Sequence, residues 1–407
     1  MPKAQQFRDI HAARDSEAGD ASHLRGANIT SAGVHNRKVI LNAIRTAGSV
    51  LRHDLAAMTG LTTPAVFKIA RDLMDDGLIL SERTREKVRG QPASMMKLNP
   101  DAAFSLGLNV DRNHLTLVCV DFAGQVRQRF HFPMAFAEPS DVRAFVGNCL
   151  DRLRAQDAIP MARLTGIGIA APDGLGWGDL PGQPERYSDW IGVRLPELLH
   201  GMTDLPVVHD NDAAAAATGE MLFGSGLDLN SFFYVFLGAS LSGGLVINRR
   251  LVRGAHRRSG ELGGLPRINP LRRSQTDLRQ TLGDAVLTSD LLDSLHARGY
   301  REASMATLGQ LDPGARPVID EWLGRVADYL YLPLLTILGS VDPDAILIGG
   351  QLPAALTEAL CQEVSKRLSM HVGVHWPDMA VRPARLAADP AAVGAAVLAF
   401  QDVWEGN

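Results

Sequence analysis

Three cysteines, Cys119, Cys149 and Cys361, are all that the 407 residues contain, and they stand far apart. None falls in a pair spacing, so a zinc centre built on cysteines is excluded, and a disulfide framework with it. So few thiols point to a reducing cytosolic compartment rather than to secretion. Aromatic residues supply only 6 % and charged ones 21 % of a chain that is 46 % apolar, with a net charge of −4. That balance excludes disordered and collagen-like classes. The length predicts two or three domains, enough chain for sizeable cores. No secretory leader is expected, because the first thirty residues carry charges throughout and lack an apolar core. The longest uncharged run, Leu229 to Asn248, is interrupted by Gly238, Ser240, Ser242, Gly243 and Gly244. Two buried strands joined by a glycine turn fit it better than a membrane helix, so no membrane association is expected.

Lysine is scarce and unevenly placed. Five of the six (Lys3, Lys38, Lys68, Lys87, Lys97) lie in the first 100 residues, where 15 Lys/Arg oppose 10 Asp/Glu; the rest of the chain holds 26 against 35. A basic front on an acidic body suggests a polyanion partner for the front. Two ordinary domains with scattered surface charge produce the same asymmetry, so local pattern must decide.

Residues 1–31 lack apolar periodicity and are expected to form a mobile tail. From Asn36, the residues Val39, Ile40, Ala43, Ile44 and Ala47 recur at helical spacing up to Gly48. Arg52 to Thr59 predicts a second helix that buries Leu55 and Ala56 and ends at Gly60. Thr62 is placed to cap a third, with Pro64 in its first turn and Asp75-Asp76-Gly77 at its end. Three short helices with a tight turn between the last two form a helix-turn-helix order. On the third helix Val66, Ile69, Ala70 and Leu73 share the inward face. Lys68 and Arg71 point outward, Thr62 and Thr63 lie at the start, and Phe67 lies at a flank. Such a helix enters the major groove with its N-terminal half against base edges, where Lys68 and Arg71 suit guanine or phosphate and Phe67 a thymine methyl. Two apolar runs, Leu78 to Leu80 and Met95 to Leu98, then bracket a basic arm and predict a hairpin wing. In an extended arm Arg83, Arg85, Lys87 and Arg89 project on one side and Glu82 and Glu86 on the other, a stripe suited to phosphates or a narrow minor groove. The bland alternative for the arm is a solvated loop. The domain so delimited runs over 32–99, with double-stranded DNA as its expected partner.

Beyond Asn99-Pro100, strand patterns over 104–110, 115–120 and 164–170 alternate with a helical one over 141–156. Pro206-Val-Val then leads into His209-Asp-Asn-Asp, and Ala213 to Ala217 opens a helix. The glycine hairpin of 231–248, several helices between about 276 and 340, and a last strand at Ala345 to Gly350 complete an α/β body. Ordered strings recur along it: Gly166-Ile-Gly-Ile-Ala-Ala-Pro, Asp210-Asn211-Asp212-Ala213, Leu251-Val-Arg-Gly-Ala-His followed by Gly260-Glu261-Leu-Gly, Asp342-Pro-Asp-Ala-Ile-Leu-Ile-Gly-Gly and Ala391-Ala-Val-Gly-Ala-Ala. Together with Asn36-Arg37 through Gly60-Leu61-Thr62 and with Arg89-Gly-Gln-Pro, the chain resembles the transcriptional regulators of the ROK family (repressors, open reading frames and kinases) over about residues 36–400.

That resemblance implies an actin-like (ribonuclease H-like) two-lobe ATPase fold behind a winged helix-turn-helix. Lobe 1 is expected over 100–209, completed by 385–407, and lobe 2 over 210–384. It also implies a sugar site. Asn211 and Asp212 match the pair that holds sugar hydroxyls, Asp212 standing where family kinases keep their catalytic base. Glu261 matches an acidic sugar ligand, and Asp173 and Gly174 are placed to close over the site. The nucleotide side departs from the pattern. Family kinases cradle phosphate with Asp-x-Gly-x-Thr; the aligned stretch here is Asn109-Val110-Asp111-Arg112-Asn113, with an acid where bare backbone approaches phosphate. The second phosphate turn reads Gly238-Ala-Ser-Leu-Ser-Gly-Gly. The family zinc cluster is missing too, Gly263-Gly264 standing where its histidine belongs, so neither metal nor cofactor is expected and the 264–280 loop, with Arg267, Arg272 and Arg273, must be held otherwise. A cytoplasmic, homodimeric or tetrameric repressor that senses a sugar or sugar derivative is the leading expectation. A sugar kinase with a DNA-binding extension is the alternative, and a body that has lost its ligand and only dimerises is a third.

Overall fold

The computed structural model describes residues 29–83, 94–157, 159–177, 183–271, 277–311, 313–375, 380–386, 389–400 and 403. Its N-terminal unit is built from α1 (Ile29–Ala47), β1 (Val50–Leu51), α2 (Arg52–Thr59), α3 (Thr63–Asp75), β2 (Ile79–Arg83) and β3 (Ser94–Leu98). Helix α1 starts at Ile29, inside the stretch expected to be a tail; residues 1–28 lie outside the described ones. The α2–α3 turn forms as the pattern predicts. Gly60 takes a left-handed φ of 68° and its N–H returns to the Ala56 carbonyl, closing α2. Thr62 holds the cap position of α3, yet its side chain makes no capping hydrogen bond. Val66, Ala70 and Leu73 are buried against Ile40, Leu41, Ile44 and Leu55, while Ile69 is only half-buried. Strands β2 and β3 pair antiparallel from Ile79↔Leu98 to Arg83↔Ser94, which is the predicted hairpin. Its far end, with Arg85, Lys87 and Arg89, lies outside the described residues, and of Arg83 only the backbone is described.

The body is two five-stranded sheets of one design. The first takes β4 (Phe104–Val110), β5 (His114–Asp121), β6 (Val126–Pro133), β7 (Leu164–Ala171) and β8 (Val207–Asn211) in the order β6-β5-β4-β7-β8, with α4 (Pro139–Ala155) packed on it. Helix α5 (Asp212–Phe223) follows β8 directly. The second sheet uses β9 (Phe232–Leu237), β10 (Leu241–Ile247) and β11 (Arg250–Val252), then a small hairpin of β12 (Pro266–Arg267) and β13 (Asp277–Thr281) and helices α6 (Leu282–Ala285), α7 (Thr288–Ala297) and α8 (Arg316–Val341) intervene before β14 (Ala345–Gly350), α9 (Ala354–His375) and β15 (Ala380–Pro383). Its order is β11-β10-β9-β14-β15. In each sheet two antiparallel hairpin partners precede two parallel strands. Strand β8 carries Asp210 and Asn211 past the lobe boundary expected at 209, and β13 and β15 were not foreseen. The uncharged run forms β9 and β10, but Gly243 and Gly244 lie within β10 and the turn is Gly238 to Ser240.

The last helix, α10 (Pro390–Leu398), is the hub. It packs on β4, β5, β7 and α5, and contact this close requires glycine: a Cβ at Gly107 or Gly168 falls 1.8 Å from a carbonyl oxygen of α10, and one at Gly394 falls 1.8 Å from that of Ala215. Ala392, Val393, Ala396 and Phe400 also join Val118, Val120 and Phe122 in one core with the N-terminal helices. Among the described residues no helix is long and apolar enough to cross a membrane.

Candidate functional site

A cleft opens where β8 ends and α5 begins. Asn211 is the N-cap of α5: its Oδ1 accepts from the N–H groups of Ala213 (3.0 Å) and Ala214 (3.4 Å). Capping therefore falls to neither Asp210 nor Asp212, and the Asn211 Nδ2 is left to donate elsewhere. Asp212 is the first residue of α5 and is buried; its Oδ1 accepts from the Ala213 N–H (2.7 Å) and the Ser242 hydroxyl (3.1 Å). Burial pushes its carboxyl up to about 7, Asp111 and Asp173 adding repulsion while the Ala213 and Ser242 hydrogen bonds pull the other way.

The cleft holds about 350 Å³, its open mouth included. Asn211, Asp173 and Glu261 line it together; Asp212 lies behind the lining and Gly174, at a φ of 78°, is outside it. Glu261 Oε1 accepts from the Gly264 N–H at 3.3 Å, which turns the carboxylate toward its own loop. Asp210 and Ser259 line the same space, as do three arginines not singled out from sequence: Arg253, Arg257 and Arg258. Asp210 is buried and accepts from Arg253 at 2.6 and 3.1 Å and from Arg257 at 3.4 Å. The signal was present as three arginines within the six residues before Ser259, but a basic run in a glycine-rich loop reads as a solvated surface.

Residues 109–114, the stretch aligned with the first phosphate turn, make several hydrogen bonds within the chain. Asp111, in the β4–β5 turn, is buried; its Oδ1 accepts from the Arg112 N–H (2.6 Å) and its Oδ2 from the Gln351 side chain (2.5 Å). A Cβ at Gly238 sits 3.5 Å from that same Oδ2, so the carboxylate stands between the two phosphate turns. His114 bonds Asn109 (3.3 Å) and Asn113 (2.6 Å), occupying two more polar side chains of the turn.

In the loop for which no zinc was expected, Arg267 donates to the Tyr329 hydroxyl at 2.9 Å and lies over its ring, and it also bonds Gln280. Arg272 and Arg273 lie outside the described residues. Among the described residues no group of three or more His, Cys, Asp or Glu side chains is placed to hold a metal. The three cysteines are free and buried, and burial raises each thiol to about 12.

On the N-terminal unit Thr62, Thr63, Phe67, Lys68 and Arg71 are all exposed on one stretch of α3. The Phe67 ring carries the Arg52 guanidinium 4.9 Å from its centre, and Arg71 has a weak pairing to Asp75 at 3.9 Å. On the wing Lys97 pairs with Glu82.

Fold and cleft together define a class: a two-lobed α/β body with twin mixed sheets, a polar cleft at a helix N-terminus, and a helix-turn-helix unit in front. The ROK family model matches residues 105–402, and the chain belongs to the ROK family. A xylose repressor from Bacillus spizizenii is 24 % identical over 358 residues, covering 83 % of this chain and 88 % of the repressor. A solved ROK family transcriptional regulator, a homolog of the E. coli MLC protein, superposes with a TM-score of 0.64 at 23 % identity, over 92 % of this chain and 97 % of that one. A solved ROK family glucokinase from Streptomyces griseus, in complex with glucose and AMPPNP, superposes with a TM-score of 0.56 at 21 % identity, over 74 % of this chain and all of the kinase. Repressors and kinases thus both stand among the relatives.

Proposed function

We propose that this chain is a DNA-binding transcriptional repressor of sugar-metabolism genes, controlled by a sugar or sugar derivative held between its lobes and working as a homo-oligomer. The observation that carries this reading is the path from cleft to head. Helix α5 starts behind the cleft at Asp212, capped by Asn211 in the cleft lining, and ends at Leu222 and Phe223, where Arg45 of α1 donates to the Leu222 carbonyl and lies 5.5 Å over the Phe223 ring. A ligand gripped at one end of this rod bears on the DNA-reading unit at the other. It acts by binding one lobe arrangement better than the other. Asn211, Asp212 and Glu261 are suited to polyol hydroxyls, since a buried polar group left unpaired costs about 1–3 kcal/mol. Thr62, Thr63, Phe67, Lys68 and Arg71 face the major groove in this reading, and Arg83, Arg85 and Arg89 reach phosphates. Two heads on a two-fold axis read half-sites about 34 Å apart.

One observation favours a second reading, a sugar kinase with a DNA-binding extension: a carboxyl raised to about 7 is tuned as a general base is. Against it stands Asp111, a buried acid bonded to Gln351 and close to Gly238, in the stretch aligned with the phosphate turn of family kinases. An ATP-consumption assay across a panel of sugars separates the two. No turnover above background is expected; sustained turnover lost in Asp212→Asn contradicts the repressor reading.

A further inference from the structure

The arginines of the cleft ask for more than a neutral polyol. Arg253 and Arg257 converge on the one buried carboxylate of Asp210, and Arg258 faces the same cavity beside Glu261. Asp210 engages two N–H groups of Arg253 and one of Arg257, the last at a long 3.4 Å. A guanidinium carries five donors in a rigid fork. The two side chains remain 41 and 50 % exposed, so pairing with Asp210 leaves both guanidinium groups open to solvent. Asp210 thus acts from beneath, fixing the forks as a supporting residue fixes a ligand-binding one.

The backbone adds an independent sign. Arg257 is held at a φ of 55°, in the left-handed region that glycine enters freely and arginine does not. Residues kept in such a conformation cluster at ligand clamps, where the surroundings over-determine them. Asn211, Asp173 and Glu261, the groups suited to hydroxyls, line the same cavity.

We infer that the ligand of this site is an anionic sugar, its hydroxyls held by Asn211, Asp173 and Glu261 and its carboxylate or phosphate held by the guanidinium forks of Arg253, Arg257 and Arg258. The inference rests on the sugar-sensing reading and narrows its ligand class. Arg–carboxylate and Arg–phosphate pairs share one bidentate, charge-assisted geometry, so either anion satisfies the forks. Glu261 and Asp173 then accept from hydroxyls while the arginines neutralise the charge that these acids alone repel.

Titration calorimetry on the full chain with matched pairs tests this: glucose against glucuronate, galactose against galacturonate, and glucose against glucose 6-phosphate. At least one acid is expected to bind about tenfold or more tighter than its neutral partner, a gap of about 1.4 kcal/mol. Whether the preferred member is a uronate or the phosphate identifies the anion. Arg257→Gly, which relaxes its own backbone, combined with Arg258→Gln, is expected to bring each pair within about threefold. Equal binding of acid and neutral sugar overturns the anionic assignment and leaves the sugar-sensing reading standing. An acid preference that survives in the double variant overturns the role of the arginines. Silence from every sugar contradicts the sensing reading itself, and the inference falls with it.

Discussion

At the residue scale, two carboxylates decide how the cleft is used. Asp111 stood out in the sequence as an acid in the wrong register of a phosphate turn, and it bridges to Gln351 in the other half of the body. Asp212 was legible as a candidate from its neighbours in the chain; its burial beneath the cleft was not, because only the fold places Ser242 and Asp111 around it. The arginines were illegible for a related reason. What separates a solvated arginine from a binding one is a partner such as Asp210, distant in sequence. Asp212 also carries a pH signature. Its folded pKa, about 7, lies above its ordinary value of 3.8, so the unfolded chain releases this proton first and stability falls as pH rises between the two. Above pH 7 the cost amounts to about 4 kcal/mol at most. Asp212→Asn keeps an oxygen for the Ala213 N–H and the Ser242 hydroxyl and removes the charge. The variant is expected to match the wild-type melting temperature near pH 4 and to exceed it increasingly up to pH 8. Parallel melting curves across that range contradict the burial account.

At the element scale, the sequence was most informative where periodicity and punctuation agree. Helix α2 was bounded by Gly60 and α3 by Asp75-Asp76-Gly77, and both formed as predicted. Helix α1 begins earlier than expected, since Ile29 to His35 shows no apolar repeat from which its start could be read. Strand β13 was missed because Asp277-Leu-Arg-Gln-Thr carries no alternating apolar face, and it exists only as the partner of β12. Helix α5 is the element on which function turns. Its alanines let it lie close to α10, and its C-terminal carbonyl meets Arg45, which burial lowers to about 9. Arg45→Met retains the packing while removing both a desolvated charge and its hydrogen bond. Stability is therefore expected to change by less than about 1.5 kcal/mol in denaturant melts, since the two effects oppose each other. Affinity for DNA is expected to persist while its response to ligand falls below about threefold. A ligand response as large as that of wild type, at unchanged stability, contradicts α5 as the link.

At the scale of the whole molecule, an α/β class followed from alternating patterns, but the repetition of one strand order in two sheets did not. Order depends on which edges pair, and residues such as Ala380 to Pro383 join a sheet through parallel register with β14 rather than through their own composition. The head was read as a separate domain, yet its core runs on into the body through Phe122 and Phe400, whose rings meet edge to face at 5.8 Å. A shared core of this kind makes head orientation a property of the whole chain. In the proposed function it also gives lobe movement a packed route to helix α3, and packed cores switch between discrete arrangements rather than flexing smoothly. The central claim is that cleft and head are coupled. Duplexes selected by the full chain from a random library, titrated by fluorescence anisotropy with and without the tightest-binding sugar of the calorimetric panel, test it most directly. The account predicts at least a tenfold change in Kd at saturating sugar, abolished in Asp212→Asn; the same Kd in both conditions, or no duplex selected at all, contradicts it.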